Sequence, residues 1–241
     1  MPNSDACRRV VGGILATTLV TACGGDGGNV SPHPIPASYN LQVGMAGLIR
    51  SGLTAGVNLS GTTIVQGVTT PFTGTGTVTL SAATTGEFNG MAAMLQTQTI
   101  SGTVMVAGQS VPYTVSVVNA YDGQVDILGE SQSGEFDVAQ APIFIPTGVG
   151  TTQTLLGTLS RYSDPQLASV LGTTQLSVAV QTIPIDPGSP EVVQFTAKVY
   201  DANQALVETD TVSYYLTGGG NLSFYSATTQ SASGTSSVTL Q

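Results

Sequence analysis

Short stretches in which polar and apolar residues alternate are the feature that most limits the fold of this chain. Residues 75–81, 101–107 and 113–119 place apolar side chains at alternating positions among Thr and Ser. A period of two with many β-branched residues predicts β-strands that have one buried face. No segment has the i, i+3, i+4, i+7 spacing over three turns that predicts a long helix. We therefore expect an all-β protein.

Turn signals separate these stretches. Asp122-Gly123 is the strongest short hairpin signal, and Gly134 follows a second strand pair. The pattern predicts an antiparallel meander that forms a sandwich or a curved half-barrel. Ser and Thr dominate residues 228–241, which predicts a frayed end with one closing strand at 237–240. Further strands are predicted at 153–162, 170–180, 192–200, 205–216 and 221–227.

Two parts of the chain follow a similar order of strands and turns. A strand, an Asp-containing turn, a strand, a Gly turn and a short strand occur at 113–138 and again at 194–227. One interpretation is a duplication, with internal halves at 39–141 and 142–241. The other is a single meander, since any antiparallel meander repeats such hairpins. The pattern leaves both open.

Charged residues make up only 8% of the chain. From residue 23 onward, three basic residues (Arg50, Arg161 and Lys198) face thirteen acidic ones, a net charge of about −10. A surface of that sign repels phosphate backbones, so nucleic acid is excluded as a partner. Adsorption to anionic lipid head groups is disfavoured for the same reason.

The N-terminus resembles a bacterial lipoprotein signal peptide with its lipobox. Arg8 and Arg9 precede an apolar run at 10–20, which is too short to span a bilayer, and Thr21-Ala22 leads into Cys23. The alternative is an ordinary signal peptide in which a cysteine happens to follow Ala22.

The resemblance implies removal of residues 1–22 and acylation of Cys23. Several acyl chains on one cysteine give a stable anchor. Residues 23–38 then form a Gly/Pro tether and residues 39–241 a β-rich domain. Because the residue after Cys23 is Gly24 and not Asp, the resemblance implies the outer membrane. Cys7 would be lost with the signal, so we expect no disulfide and no thiolate metal site.

Few residues are candidates for catalysis. His33 is the single histidine and lies among prolines in the tether, which excludes a Ser-His-Asp triad and a histidine zinc site. Lys198 is expected to be solvent-exposed, because it lies in an alternating strand. Glu130, Glu135 and Asp137 lie close in sequence, but the last two flank Phe136 and are expected on the solvent face. We therefore predict no enzyme activity and no cofactor.

Three further groups have an ordinary structural interpretation. Residues 122–126 and 201–204 lack the full ligand set of a calcium loop and are expected to be turns. Tyr214-Tyr215 and Phe224-Tyr225 are expected in the core and at the rim of a sheet. Met91, Met94 and the apolar segment 41–49 are expected in the core. The alternative for this last group is the lining of a lipid cavity.

Three stretches are similar to a group of Gram-negative lipoproteins with no assigned activity. They are residues 86–91 with 96–104, residues 106–112, and residues 157–164 with 171–173. The resemblance implies an anchored β-rich lipoprotein and no functional residue beyond Cys23. We expect a non-catalytic binding or envelope-scaffold module, which should have a filled core. The alternative is a carrier of lipid or another hydrophobic ligand, which should have an apolar cavity.

Overall fold

The computed structural model describes residues 40–182, 191–216 and 222–241. Strands account for 72% of the described residues, which also contain one short helix. The predictions for residues 1–22 and 23–38, including Cys23 and His33, lie outside the described residues. The helix is α1 (Leu41–Ser51), and the strands in chain order are β1 (Leu53–Val65), β2 (Val68–Leu80), β3 (Thr84–Phe88), β4 (Met91–Val106), β5 (Gln109–Tyr121), β6 (Ile127–Gln132), β7 (Glu135–Ile143), β8 (Thr154–Tyr162), β9 (Val170–Thr182), β10 (Glu191–Asp201), β11 (Leu206–Leu216), β12 (Leu222–Ser231) and β13 (Gly234–Leu240).

The strands form one antiparallel sheet that closes on itself. Each strand from β4 to β13 pairs with the next, β13 pairs with β1, β1 with β2, and β2 with β4. The result is a closed barrel of twelve strands, with β3 added outside the ring on the edge of β4. The predicted all-β antiparallel meander is confirmed, and the sheet takes the form of a closed barrel.

The predicted closing strand at 237–240 lies within β13, but the prediction that the rest of 228–241 is frayed is wrong. The last strand, β13, lies between β12 and β1 and supplies one of the closing pairs of the barrel. Its alternate residues Ser236 and Val238 are buried in the interior, so the strand has an inward face. Thr and Ser are compatible with this position because β-branched and small polar side chains suit a half-buried pleated surface.

The two ends of the barrel differ. At the "turn end", hairpin connections join the strands in pairs, at 66–67, 107–108, 133–134, 163–169, 202–205 and 232–233. At the "helix end", α1 lies against the loops that follow β2, β5 and β7. The Leu41 amide donates to the Thr147 carbonyl (3.0 Å), and the Ala83 amide donates to the Ile49 carbonyl (2.8 Å).

Local signals define both ends of α1. The Asn40 side chain accepts a hydrogen bond from the Val43 amide (3.1 Å), as an N-cap does. Gly52 ends the helix with φ of 65°, and an added Cβ there would overlap the backbone at Leu80 to Ala82. The segment 41–49 is core material as predicted, although it forms a helix, and Leu41, Met45, Leu48 and Ile49 are almost fully buried.

A second, smaller apolar cluster lies on the outer face of the sheet. Phe88 of β3 stacks on Phe136 of β7 with ring centroids 4.7 Å apart. This outer cluster holds β3 against the barrel and contains Phe88, Ala93, Ala120, Leu128 and Val138, with Leu95, Phe136, Tyr162 and Leu167 packed on it. Strands β6 and β7 are therefore covered on both faces. Across the described ranges, no helix combines the length and the hydropathy needed to cross a membrane.

Candidate functional site

Acidic side chains lie inside the barrel towards its turn end. Asp137 lies two residues before Ala139 on β7, and Asp210 lies two residues before Val212 on β11. Ala139 and Val212 both belong to the main core. Because side chains on one strand face are two residues apart, these carboxylates point inward. We call Glu130, Glu135, Asp137, Glu208 and Asp210, together with Arg161, the acidic layer.

The expectation that Glu135 and Asp137 lie on the solvent face is wrong. Only 4% of the Asp137 surface is exposed, and Glu135 is partly buried. The physical reason is that Phe136 and Val138 pack in the outer cluster. Because side chains alternate along a strand, Glu135 and Asp137 then face inward. Apolar residues on an alternating strand usually mark the core face, and here they mark the second, smaller core.

One ion-pair network joins β7 and β8. Arg161 Nη2 lies 2.6 Å from Glu135 Oε2, and Arg161 Nε lies 3.6 Å from Asp137 Oδ2. The Thr174 hydroxyl also donates to Asp137 Oδ2 (3.0 Å). The other oxygen of Asp137, Oδ1, is buried and receives no hydrogen bond from the described residues. The stronger contact of Arg161 is therefore with Glu135.

Asp210 occupies a second buried position on the other side of the layer. Only 3% of its surface is exposed, and its Oδ1 accepts a hydrogen bond from the Thr229 hydroxyl. Asp210 Oδ2 is buried and has no protein donor within the described ranges. Among the charged groups, Glu208 has the largest electrostatic effect on Asp210, and the two groups carry the same sign of charge.

Burial and mutual repulsion weaken the acidity of these groups. Loss of solvation, only partly offset by Arg161 and Thr174, raises the pKa of Asp137 to about 7. Burial, followed by repulsion from Asp137 and Glu135, raises the pKa of Glu130 well above its usual value. Burial, followed by repulsion from Glu208, has the same effect on the pKa of Asp210. The layer therefore holds carboxyl groups that keep their protons to a higher pH than ordinary Asp and Glu side chains do, and for Asp137 this extends to about pH 7.

A cavity of about 10 Å³ lies beside Glu130. That volume is about the size needed for one water molecule. The Tyr121 hydroxyl and Asn119 Nδ2 are buried and make no hydrogen bond with the described residues. The lining residues are Asn119, Tyr121, Ile127, Gly129, Glu130, Leu159 and Leu176.

A shallow groove of about 270 Å³ opens at the turn end, above the acidic layer. Its polar groups are largely engaged within the protein: Glu135 pairs with Arg161, and Asp164 accepts from the Ser163 hydroxyl (3.1 Å) and the Gln166 amide (3.0 Å). Because these acceptors are already used, the groove offers little polar recognition. It is lined by Ser131, Gln132, Gly134, Glu135, Phe136, Ser163, Asp164 and Pro165.

Three surface loops use an aspartate in the same way. Asp122 Oδ1 accepts from the amides two and four residues later (2.8 and 2.9 Å), and Asp201 Oδ1 does the same (2.8 and 2.9 Å). Asp164 repeats the arrangement at 3.0 and 3.3 Å. In each loop the third residue after Asp has positive φ. The turn interpretation of residues 122–126 and 201–204 is thus confirmed.

The remaining predicted residues are dispersed. Lys198 is exposed, Tyr214 and Phe224 are buried, and Tyr215 is partly buried, all as predicted. Met94 packs against the main core as predicted, but the same prediction is wrong for Met91, which is 38% exposed at the start of β4. Met91 lines neither the cavity nor the groove. Within the residues described, no group of three or more His, Cys, Asp or Glu side chains is arranged to hold a metal ion.

Comparison with known proteins finds no family model, no curated protein and no solved structure that matches this chain. Membership of a lipoprotein family, and the acylation of Cys23 that it implies, stay predictions.

Proposed function

We propose that this chain is a lipid-anchored protein of the bacterial outer membrane that acts as a non-catalytic binding or envelope-scaffold module. Cys23 is the anchor, and residues 23–38 connect it to the helix end of the barrel. A chain of this length reaches at most about 60 Å when fully extended. The turn end, with its hairpins, is then the face directed away from the anchor.

The filled interior is the observation that supports a scaffold over a carrier. A barrel of twelve strands is wider than the eight-strand barrels that side chains alone can fill. Here Leu41, Met45, Leu48 and Ile49 of α1 enter the main core, and the acidic layer occupies the turn end. The cavity beside Glu130 has about 10 Å³, whereas sites for small molecules usually have about 300–1,000 Å³.

A carrier of lipid or another hydrophobic ligand is the second candidate, and the position of α1 favours it. The apolar face of this helix lies where an apolar ligand would lie in a wide barrel. A carrier of this kind would have to move α1 away from the helix end before it binds. Its ligand would then contact residues of the main core at the helix end, among them Leu53, Leu80 and Ile145.

Native mass spectrometry of the full chain, extracted from the envelope in mild detergent, distinguishes the two candidates. A scaffold gives the mass of the protein with its covalent acyl groups and nothing more. A carrier gives an additional lipid-like mass that disappears on denaturation, while the covalent acyl groups stay. That reproducible, denaturation-sensitive adduct would contradict the scaffold proposal.

A further inference from the structure

The acidic layer contains more negative charge than its surroundings can neutralise. Five carboxyl groups face one guanidinium, that of Arg161, within the described residues. An unpaired charge inside a protein is costly, and a buried carboxyl group normally avoids this cost by keeping its proton. The groups that face one another are Asn119 and Tyr121 from β5, Glu130 from β6, Glu135 and Asp137 from β7, Arg161 from β8, Thr174 from β9, Glu208, Asp210 and Tyr214 from β11, and Thr229 from β12.

The geometry of Arg161 pairs it more closely with Glu135 than with Asp137. Its 2.6 Å contact neutralises Glu135, while its distance to Asp137 is 3.6 Å. Asp137 Oδ1 and Asp210 Oδ2 are both buried without a donor from the described residues. A carboxylate oxygen can only accept, but a protonated carboxyl group can also donate. Protonation therefore removes the charge, and on Asp210 it also supplies a donor for a hydrogen bond with Glu208.

Glu208 and Asp210 are the pair in which a bound proton has the clearest structural role. The two carboxyl groups interact directly, on adjacent inward positions of β11. Two ionised carboxylates repel each other and cannot form a hydrogen bond, whereas a carboxyl–carboxylate pair that shares one proton can. The cavity beside Glu130, a third carboxyl group, is about the size of one water molecule and so has room for a local hydrogen-bond partner.

We propose that the acidic layer is a proton-binding site of the folded barrel, so that folding takes up protons at neutral pH and the turn end is stabilised by mild acid. This goes beyond the proposed scaffold role and does not depend on the lipid anchor. The bound species is a proton shared among the carboxyl groups of the layer.

The sign of the pH dependence follows from the direction of the pKa shifts. Each of Glu130, Asp137 and Asp210 has a pKa that is higher in the folded than in the unfolded chain. Their contribution to stability is fully present below the unfolded pKa, near 4, and is lost as the pH rises through the folded pKa. For Asp137 this window runs from about 4 to about 7. Stability should thus fall between pH 5 and pH 8.

Thermal unfolding of the full chain at pH 5, 6, 7 and 8 tests the proposal, with the variants Asp137→Asn and Asp210→Asn. We expect the Tm of the unchanged protein to fall by on the order of 5 °C or more over this range. Each variant should have a flatter profile, because Asn cannot ionise. Glu87→Gln, at an exposed position of β3, is the matched control and should keep the full slope. A Tm that is constant or rises from pH 5 to pH 8 would overturn the proposal.

A second measurement needs no variant and so is independent of whether the variants fold. Unfolding the unchanged protein at pH 7 in weakly buffered urea should release protons, detected with a pH indicator dye, and Asp137 alone should contribute about half a proton per chain. Uptake of protons, or no change, would overturn the proposal. Hydrogen exchange then locates the effect: amides of β6 to β9 near the turn end should lose protection at pH 8, after correction for the intrinsic rate, more than those of α1.

Discussion

Aspartate has two different roles in this protein. On the surface, Asp122, Asp164 and Asp201 lie in loops, where each carboxylate accepts hydrogen bonds from two backbone amides. In the interior, Asp137 and Asp210 lose most of their hydration, which makes their ionised form unfavourable. Position on the strand, and not residue type, decides between the two roles.

Replacing Asp201 tests the loop role. Its Oδ1 accepts from the amides of Asn203 and Ala205, and Ala cannot replace this acceptor. We expect Asp201→Ala to lower the free energy of unfolding by about 1–2 kcal/mol, measured by urea titration. Asp201→Asn keeps an acceptor oxygen and should lose only a few tenths of that amount. Equal losses in the two variants would show that the hydrogen bonds are not the cause.

At the scale of elements, glycine permits the closure of the barrel. The β2–β4 pairing brings Gly74, Gly76 and Gly102 against the opposite backbone. An added Cβ at Gly74 would overlap the Thr103 carbonyl oxygen, and one at Gly102 would overlap the Thr75 carbonyl oxygen. These two strands are not consecutive, so their close contact depends on small residues at the seam.

A methyl group at the seam should therefore destabilise the barrel. We expect Gly74→Ala to reduce the free energy of unfolding by about 1–3 kcal/mol, because the two strands must move apart. Gly148→Ala is the control: this glycine is exposed, and an added Cβ meets no atom within 4 Å. The control should change stability by no more than about 0.5 kcal/mol. A Gly74 variant as stable as the control would contradict the seam interpretation.

Helix α1 offers a comparison between two of its own residues. Leu48 is fully buried in the main core, whereas Val43 is 60% exposed on the same helix. We expect Leu48→Ala to cost about 2–5 kcal/mol in the free energy of unfolding, from lost burial and the cavity left behind. Val43→Ala should be nearly neutral, since it removes little buried surface and improves helix propensity. Similar losses from both would mean that α1 does not pack as described.

The strands with clear alternation could be predicted from the sequence, and those without it could not. The alternation at 113–119 and 192–200 lies within β5 and β10, where Tyr113, Val115 and Val117 form one apolar face and Val193, Phe195 and Ala197 form another. Strand β1 alternates in the same way from Leu53 to Ser60, although it is missing from the strands predicted above. Strand β3 has Phe88 as its one buried residue and shows no such period. Helix α1 has about three turns, and its buried positions 41, 44, 45, 48 and 49 have helical spacing, but Gly44 and Gly47 weaken the pattern. Its signals are the caps at Asn40 and Gly52.

For the molecule as a whole, the site was harder to predict than the fold. Acidic residues are normally at the surface, and Phe136 beside Glu135 and Asp137 appeared to mark the inward face. Only the tertiary structure shows that the sheet has two apolar clusters, one inside the barrel and one on the outside of β3 to β8. The closure of the barrel was equally hard to predict from the sequence, because the β1–β13 pairing joins residues that are far apart in the chain.

The proposed location of the protein in the cell depends on acylation of Cys23, and a pair of cysteine variants tests it. If Cys23 is acylated, the full chain should incorporate labelled palmitate and sediment with the membrane fraction. Cys23→Ala should remove the label and the sedimentation together, because the acyl chains are the membrane contact. Cys7→Ala is the matched control, since this cysteine lies in the segment expected to be removed and its loss should leave both readouts unchanged. Label that persists in the Cys23→Ala protein would contradict the anchor. Label lost equally in both variants would instead place the defect in export.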